Sequence, residues 1–325
     1  MSNLALWHVD NTKSELREVD TAKLDSELIQ VNSLFSLVSS GTEKLVATGN
    51  VNKKLVDKMS VPYMQGSFSL PIKYGYSLVG KTQDNALVHV LHPHQQIAYV
   101  NKADVFPLPA DIPAKRLSLL SNMETIVNAI WDSEHLLTLS NKDLPIAICG
   151  FGNIGALLAC TLKQIALKNI TIIETDEWRA SKAAALGFKV SSPLIKNQQY
   201  TLIYHTTCTQ EGIQWSLQSA CFEGTIVELS WYASEAVELV LGEHFHYNRL
   251  RIISSQVSNI PGHKPDETYA SRKKLAINFL RDPIYDSLFA EDIELKDAPD
   301  FFNHLRNQTL PKGLIWCIRY PNINP

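Results

Sequence analysis

The chain has 325 residues, 45% of them hydrophobic and 19% charged, with a formal net charge of −3. That length predicts about two domains with sizeable cores, and the weak negative charge excludes a nucleic-acid surface. No run approaches the ~20 consecutive apolar residues of a membrane span, so neither nucleic acid nor membrane is expected as a partner.

The N-terminus, M-S-N-L-A-L-W-H-V-D, lacks the basic start and apolar core of a signal peptide. Residues 1 to about 120 are β-rich, with turn-formers between short strands; Ile29–Val38 and Ala86–Leu91 are the clearest. Ser118–His135 reads as a helix leading into an α/β block over residues 140 to about 256. Residues 267–280 return to helix, and Gly313–Tyr320 forms a last strand stopped by Pro321. The 5 cysteines are scattered without a C-x-x-C pair, and most lie in apolar runs, so buried reduced thiols in a cytoplasmic protein are expected.

The α/β block opens on I-A-I-C-G-F-G-N-I-G-A-L-L-A-C, Ile146 to Cys160. An apolar run enters three glycines at G-x-G-x-x-G spacing and a helix-like run leaves. Gly150 allows the tight turn, Gly152 lets backbone approach a pyrophosphate, and Gly155 lets helix pack on strand. The N–H groups of the first helical turn, from Asn153 and Ile154 onward, then point at the phosphates. Context strengthens this weak motif. Glu174 ends the next β-run, 19 residues beyond Gly155, close to the spacing of about 20 expected for the acid that accepts ribose hydroxyls. A helix over residues 178–186 with Gly187 as its C-cap, then strands over 199–205 and 224–230, complete a parallel-sheet pattern. A β-rich first part, this dinucleotide unit and a returning tail predict an oxidoreductase whose default site is a cleft.

Three further segments carry the order of a known family: Ser40-Gly41-Thr42-Glu43, Gly75-Tyr76-Ser77-Leu78-Val79-Gly80, and Glu124-Thr125-Ile126-Val127 ahead of the glycine motif. With S-L-V-S-S-G-T-E, Y-G-Y-S-L-V-G, E-L-S-W-Y and F-H-Y-N-R-L-R-I-I-S-S-Q-V, they resemble the medium-chain dehydrogenase/reductase superfamily over nearly the whole chain. Within it they look closest to a zinc-type alcohol dehydrogenase-like branch related to bacteriochlorophyllide a dehydrogenases. The resemblance implies an α/β fold: a GroES-like catalytic domain over residues 1–121, rejoined by 266–325, and a Rossmann domain with a doubly wound parallel sheet over 122–265. It also implies a homodimer paired through the Rossmann sheet edge, since exposed edges invite pairing.

The departures from that family matter most. The positions of its Cys and His zinc ligands hold Ser40 and Tyr76, and only the third, Glu124, keeps an acid. Zinc needs three N, thiolate or carboxylate ligands, which a serine hydroxyl and a phenol of pKa near about 10 do not supply. The four-cysteine structural lobe is also missing, Val90–Gln95 standing in its region. No zinc is expected. His92 and His94 have H-x-H spacing, but Pro93 interrupts it and no third ligand is near in sequence. They read as a loop pair facing solvent or the cleft rim, with substrate contact, proton transfer and metal as the alternatives.

Without a metal, the alkoxide of a carbonyl/alcohol pair needs a proton donor. Tyr76 is the first candidate, with Ser40 and Thr42 continuing a relay toward the ribose hydroxyls and Glu124 orienting Tyr76 or acting as an acid. Packed remnants of a lost metal site are the bland alternative. Glu174 favours NAD(H) over NADP(H), because a carboxylate repels a 2′-phosphate; Arg179 is placed to meet adenine or a phosphate edge. His205, Thr206, Thr207 and Glu228–Ser230 are expected near the nicotinamide end. Trp231, Tyr232, Phe245 and His246 read as core, interface or an aromatic substrate wall, Arg249 and Arg251 as a solvated strand face with a carboxylate site as the alternative, and Arg272–Lys274 as the exposed side of the returning helix. The leading expectation is a zinc-independent NAD(P)-dependent oxidoreductase for an alcohol/carbonyl pair of a small-molecule substrate. The alternatives are a C=C reductase for enones, quinones or enoyl groups, and a cofactor-binding protein with little catalysis.

Overall fold

The computed structural model describes residues 3–20, 27–137, 141–193 and 199–321. The chain forms two compact units, one from Met1–Ser121 with Tyr285–Pro325 and one from Asn122–Ile284. The helix Tyr269–Phe279 therefore belongs to the second unit, and the chain rejoins the first at Tyr285 rather than at 266.

The first unit is built on two sheets. A four-stranded sheet runs in the order Ser14–Glu18, Leu4–His8, Ile72–Lys73, Gln65–Gly66. The larger sheet centres on the long strand Leu28–Val38. This pairs antiparallel with Leu78–Thr82 and Ile97–Asn101 and, through Phe35–Val38, with the returning strand Trp316–Arg319. The returning tail thus closes the sheet that the first part opens. Val38, Trp316 and Ile318 from that seam pack with Leu6, Phe301 and Phe302 in one apolar cluster, with Phe302 fully buried on the helix Ala298–Arg306. Burying a side chain of that size contributes on the order of 2–3 kcal/mol, so the tail is part of the core.

The second unit is a six-stranded parallel sheet in the order Lys189–Ser191, Ile170–Ile173, Ile146–Cys149, Tyr200–His205, Ala220–Glu228, Arg251–Ser254. In chain order that is 3-2-1-4-5-6, the doubly wound arrangement, in which ligands bind beyond the carboxyl ends of the strands where the order reverses. The central strands are buried on both faces, which is why Ile146–Cys149 and Ile170–Ile173 read as unbroken apolar runs. Helices Asn153–Gln164, Glu177–Ala185 and Gln210–Ser219 connect them. Asp176 caps the second by accepting the Arg179 N–H, and Gly187 follows it at φ +81°. The order reverses at Ile146–Cys149, and the glycine turn leaves from that strand.

Candidate functional site

In the second unit, the turn after Cys149 is shaped by glycines. Gly150 sits at φ +99°, a conformation L side chains rarely adopt. A Cβ on Gly155 would lie 2.1 Å from the Gly150 carbonyl oxygen, so the third glycine is what lets the helix Asn153–Gln164 meet the turn. Thr206 donates to the Cys149 carbonyl at 2.9 Å and holds the neighbouring strand end against the turn. At the helix start, Asn153 is 9% exposed and neither its Nδ2 nor its Oδ1 finds a hydrogen-bond partner. An unsatisfied buried amide is costly, and this one stands at the N-terminus of the helix Asn153–Gln164. The turn borders a cavity of about 430 Å³ lined by Gly152, Glu174, Arg179, Thr206, Thr207 and Gly212. A glycine turn, an orphaned amide at a helix start and a cavity of this size fit the pyrophosphate end of a dinucleotide.

Glu174 does more than its spacing announces. Its Oε2 accepts the Phe151 N–H at 2.8 Å, and its Oε1 accepts the N–H groups of Thr175 and Asp176 at 2.8 and 2.9 Å. The carboxylate staples the glycine turn to the end of the second strand and still has acceptor capacity for a ligand hydroxyl. Arg179 lines the same cavity, its guanidinium 3.9 Å from the position of a Cβ on Gly152. Ser230 donates its backbone N–H to Glu228 at 2.7 Å and accepts the Cys208 N–H on its hydroxyl at 3.0 Å. His205 is fully buried, with one ring nitrogen on Glu228 and the other on Thr207, so it meets no ligand directly.

Glu124 also lies in the second unit. It is 4% exposed, with Lys273 Nζ at 2.6 Å and Arg272 Nε at 3.3 Å. Arg272 is itself 3% exposed and reaches Asn128 at 2.9 Å, which corrects the expectation of a solvated helix face at Arg272, while Lys274 is exposed as expected. The acid buries the arginine: two charges leave water together because each supplies the other's partner. The carboxylate of Glu124 is committed to two cations.

In the first unit, Ser40 and Thr42 stand half-buried on the helix Ser40–Ala47, with Glu43 fully buried beneath them. Glu43 accepts the Ser39 N–H at 2.7 Å and bonds His94 Nε2 at 2.7 Å. His94 Nδ1 bonds Ser36, which bonds the Tyr320 hydroxyl, both at 2.7 Å. Tyr76 hydrogen-bonds Ser39 and Thr42, and burial pushes its phenol up to about 12 despite those bonds, with the Glu43 carboxylate pushing the same way. The Tyr76 phenol therefore keeps its proton through the physiological range. His92 and His94 are 3% and 0% exposed, correcting the expectation of a solvent-facing pair. His92 donates Nδ1–H to the Pro93 carbonyl at 2.8 Å and rests against Tyr63. Among the described residues, no group of three or more His, Cys, Asp or Glu side chains is placed to hold a metal ion. Ser40, Tyr76 and Glu124 do not fit a zinc cage, since two are neutral hydroxyls and the third is held by Arg272 and Lys273.

The TrkA-N domain family matches residues 146–192, which span the glycine turn and the first three strands of the parallel sheet. No curated protein matches the chain. Among solved structures, a putative zinc-binding dehydrogenase from Clostridium scindens superposes with a TM-score of 0.76 at 12% identity, over 98% of this chain and 99% of that one. A short chain alcohol dehydrogenase from Escherichia coli complexed with NADH gives 0.74 at 13%, over 98% and 100%. TarJ from Staphylococcus aureus in complex with NADPH gives 0.75 at 15%, over 99% and 100%. The chain has the medium-chain dehydrogenase/reductase fold. At these identities the likeness establishes architecture, and the chemistry rests on this chain's own residues.

His92 supplies a test of the buried cluster. Burial lowers its imidazole to about 3, against about 6.5 in the unfolded chain. Between those values the unfolded state binds a proton that the folded state does not, so stability is full above about pH 6.5 and falls toward pH 3. His92→Gln should flatten the slope of denaturant-derived stability against pH by up to about 1.4 kcal/mol per pH unit in that window. An unchanged slope would place His92 in contact with water.

Proposed function

We propose that the protein is a zinc-independent, nicotinamide-dependent oxidoreductase acting on an alcohol/carbonyl pair. The observation that carries the reading is the glycine turn with its orphaned Asn153 amide, joined to the next strand by Glu174. A bound nicotinamide coenzyme supplies the hydride. Gly150, Gly152 and Gly155 allow close approach of the pyrophosphate, the first N–H groups of the helix receive it, and Glu174 accepts a ribose hydroxyl.

In the direction of reduction, Tyr76 gives its phenolic proton to the substrate oxygen as that oxygen gains negative charge, and regains one from solvent. Ser39 and Thr42 hold the hydroxyl, while Glu43, fixed by His94, anchors the helix that carries Ser40 and Thr42. Tyr76→Phe should lower kcat roughly a hundredfold with little change in coenzyme affinity, as removal of a general acid does. Unchanged turnover in a folded variant would contradict the role.

Glu174 favours NAD(H), since its charge opposes a 2′-phosphate at the ribose it accepts. Arg179 is the residue on the opposite side of that balance. Side-by-side titration should give tighter binding of NADH than of NADPH, and a clear NADPH preference would reverse the assignment.

A homodimer through the second unit accounts for its outermost strand. Arg251–Ser254 ends the six-stranded sheet, Ile252 on it is 39% exposed, and Phe222 and Tyr247 of the same unit are 62% and 63% exposed. Open edges and exposed apolar side chains are used in association. Light scattering should give twice the chain mass of 36.4 kDa, and Ile252→Lys should return it to the monomer; a monomeric parent protein would refute the pairing.

A further inference from the structure

The carboxyl ends of Tyr200–His205 and Ala220–Glu228 lie side by side, with His205 in register with Glu228. The Glu228 carboxylate receives the Ser230 N–H at 2.7 Å and the Tyr232 hydroxyl at 3.3 Å, and bonds His205 Nδ1 at 2.8 and 3.0 Å. An ionised carboxylate only accepts, so Nδ1 carries the ring proton. The Tyr232 ring stacks on the imidazole at 6.5 Å and 13°. The other nitrogen, Nε2, lies 2.7 Å from Thr207 Oγ1. In the Nδ1–H tautomer that this geometry selects, Nε2 takes the Thr207 proton, and the lone pairs of that hydroxyl are left for other partners. Thr209 Oγ1 is one, at 2.9 Å, and itself accepts the Gly212 N–H at 3.1 Å at the start of a helix.

His205 is sealed from solvent, but Thr207 is only half-buried and lines the cavity beside the glycine turn. Its methyl carbon lies 2.9 Å from where a Cβ on Gly150 would be. A second observation shows how tightly the couple is built. A Cβ on Gly212 would fall 2.3 Å from Thr207 Oγ1 and 2.6 Å from His205 Nε2. A side chain there has to displace the bond between them.

We propose that His205 and Glu228 form a positioning couple that fixes the Thr207 hydroxyl as an acceptor for a sugar hydroxyl of the bound dinucleotide. The inference rests on the coenzyme reading above. His205 and Glu228 act through Thr207 and touch no ligand themselves. A hydroxyl whose proton is taken by Nε2 suits a ligand that donates, such as a ribose hydroxyl, and disfavours a phosphate oxygen that only accepts.

The test is a set of NADH dissociation constants, read by fluorescence titration, for the parent protein, Thr207→Val, Thr207→Ser, His205→Asn and the double variant His205→Asn/Thr207→Val, with a melting curve for each. Thr207→Val should weaken binding roughly tenfold, the loss of one well-made hydrogen bond, while Thr207→Ser stays within about twofold of the parent. His205→Asn should match Thr207→Val, and the double variant should bind no more weakly than Thr207→Val alone, because both changes remove the same contact. A His205 that serves only to hold the fold would add its loss to that of Thr207→Val, and that additivity overturns the inference. Gly212→Ala, which wedges a methyl between the two side chains and removes neither, should reproduce the Thr207→Val loss should His205→Asn fail to fold. A parent that binds NADH alongside His205→Asn and Gly212→Ala variants of equal affinity defeats the inference alone. A parent that binds neither NADH nor NADPH removes the coenzyme reading and the inference with it.

Discussion

The close approach of the helix Asn153–Gln164 to the turn that precedes it is the constraint on which the second unit depends. The Gly150 carbonyl stands where a Cβ on Gly155 would be, at 2.1 Å, and Gly150 itself needs a positive φ. With those two positions free of side chains, the helix start presses against the ends of the central strands, and the cavity opens beside it. Glu174 then reaches back to the Phe151 N–H, and Thr206 to the Cys149 carbonyl. Both bonds tie neighbouring strands to the turn. The same contact that orders the sheet shapes the cavity beside the turn.

The first unit shows a second economy of charge. Glu43, His94, Ser36 and Tyr320 form a continuous chain of short hydrogen bonds with almost no exposure. Such a network is stable only when every member is satisfied. It joins a helix of the first part to the strand end of the returning tail, and it puts a buried carboxylate close enough to raise the Tyr76 phenol. Beside the Ser39 and Thr42 hydroxyls that bond Tyr76, this chain buries a hydrogen-bonded Glu43–His94 pair.

Much of the fold was legible because its signals are local. Ile146–Cys149 and Ile170–Ile173 are apolar throughout since both sheet faces are covered, and glycine spacing encodes a backbone conformation directly. What escaped the sequence was partnership between distant residues. His205 and Glu228 are 23 residues apart, Glu43 and His94 are 51, and Glu124 and Arg272 are 148. Nothing in periodicity announces that Arg272 turns inward, because charged and apolar residues are not segregated along Tyr269–Phe279; only a buried acid elsewhere makes its burial tolerable. His92 and His94 depart from the sequence pattern for the same reason: a proline between two histidines reads as an exposed loop, whereas carbonyl and carboxylate partners allow both rings to be buried. The acid after the second strand was found by spacing, but its three backbone bonds were not foreseeable from its type.

The central claim is that a pyridine dinucleotide lies with its pyrophosphate against the turn from Gly150 to Gly155. A structure determined with NAD(H) bound tests it most directly. The account predicts density for the pyrophosphate at the N–H groups of the helix start, with a ribose hydroxyl on Glu174. Coenzyme bound elsewhere, or an empty turn at saturating coenzyme, would contradict it.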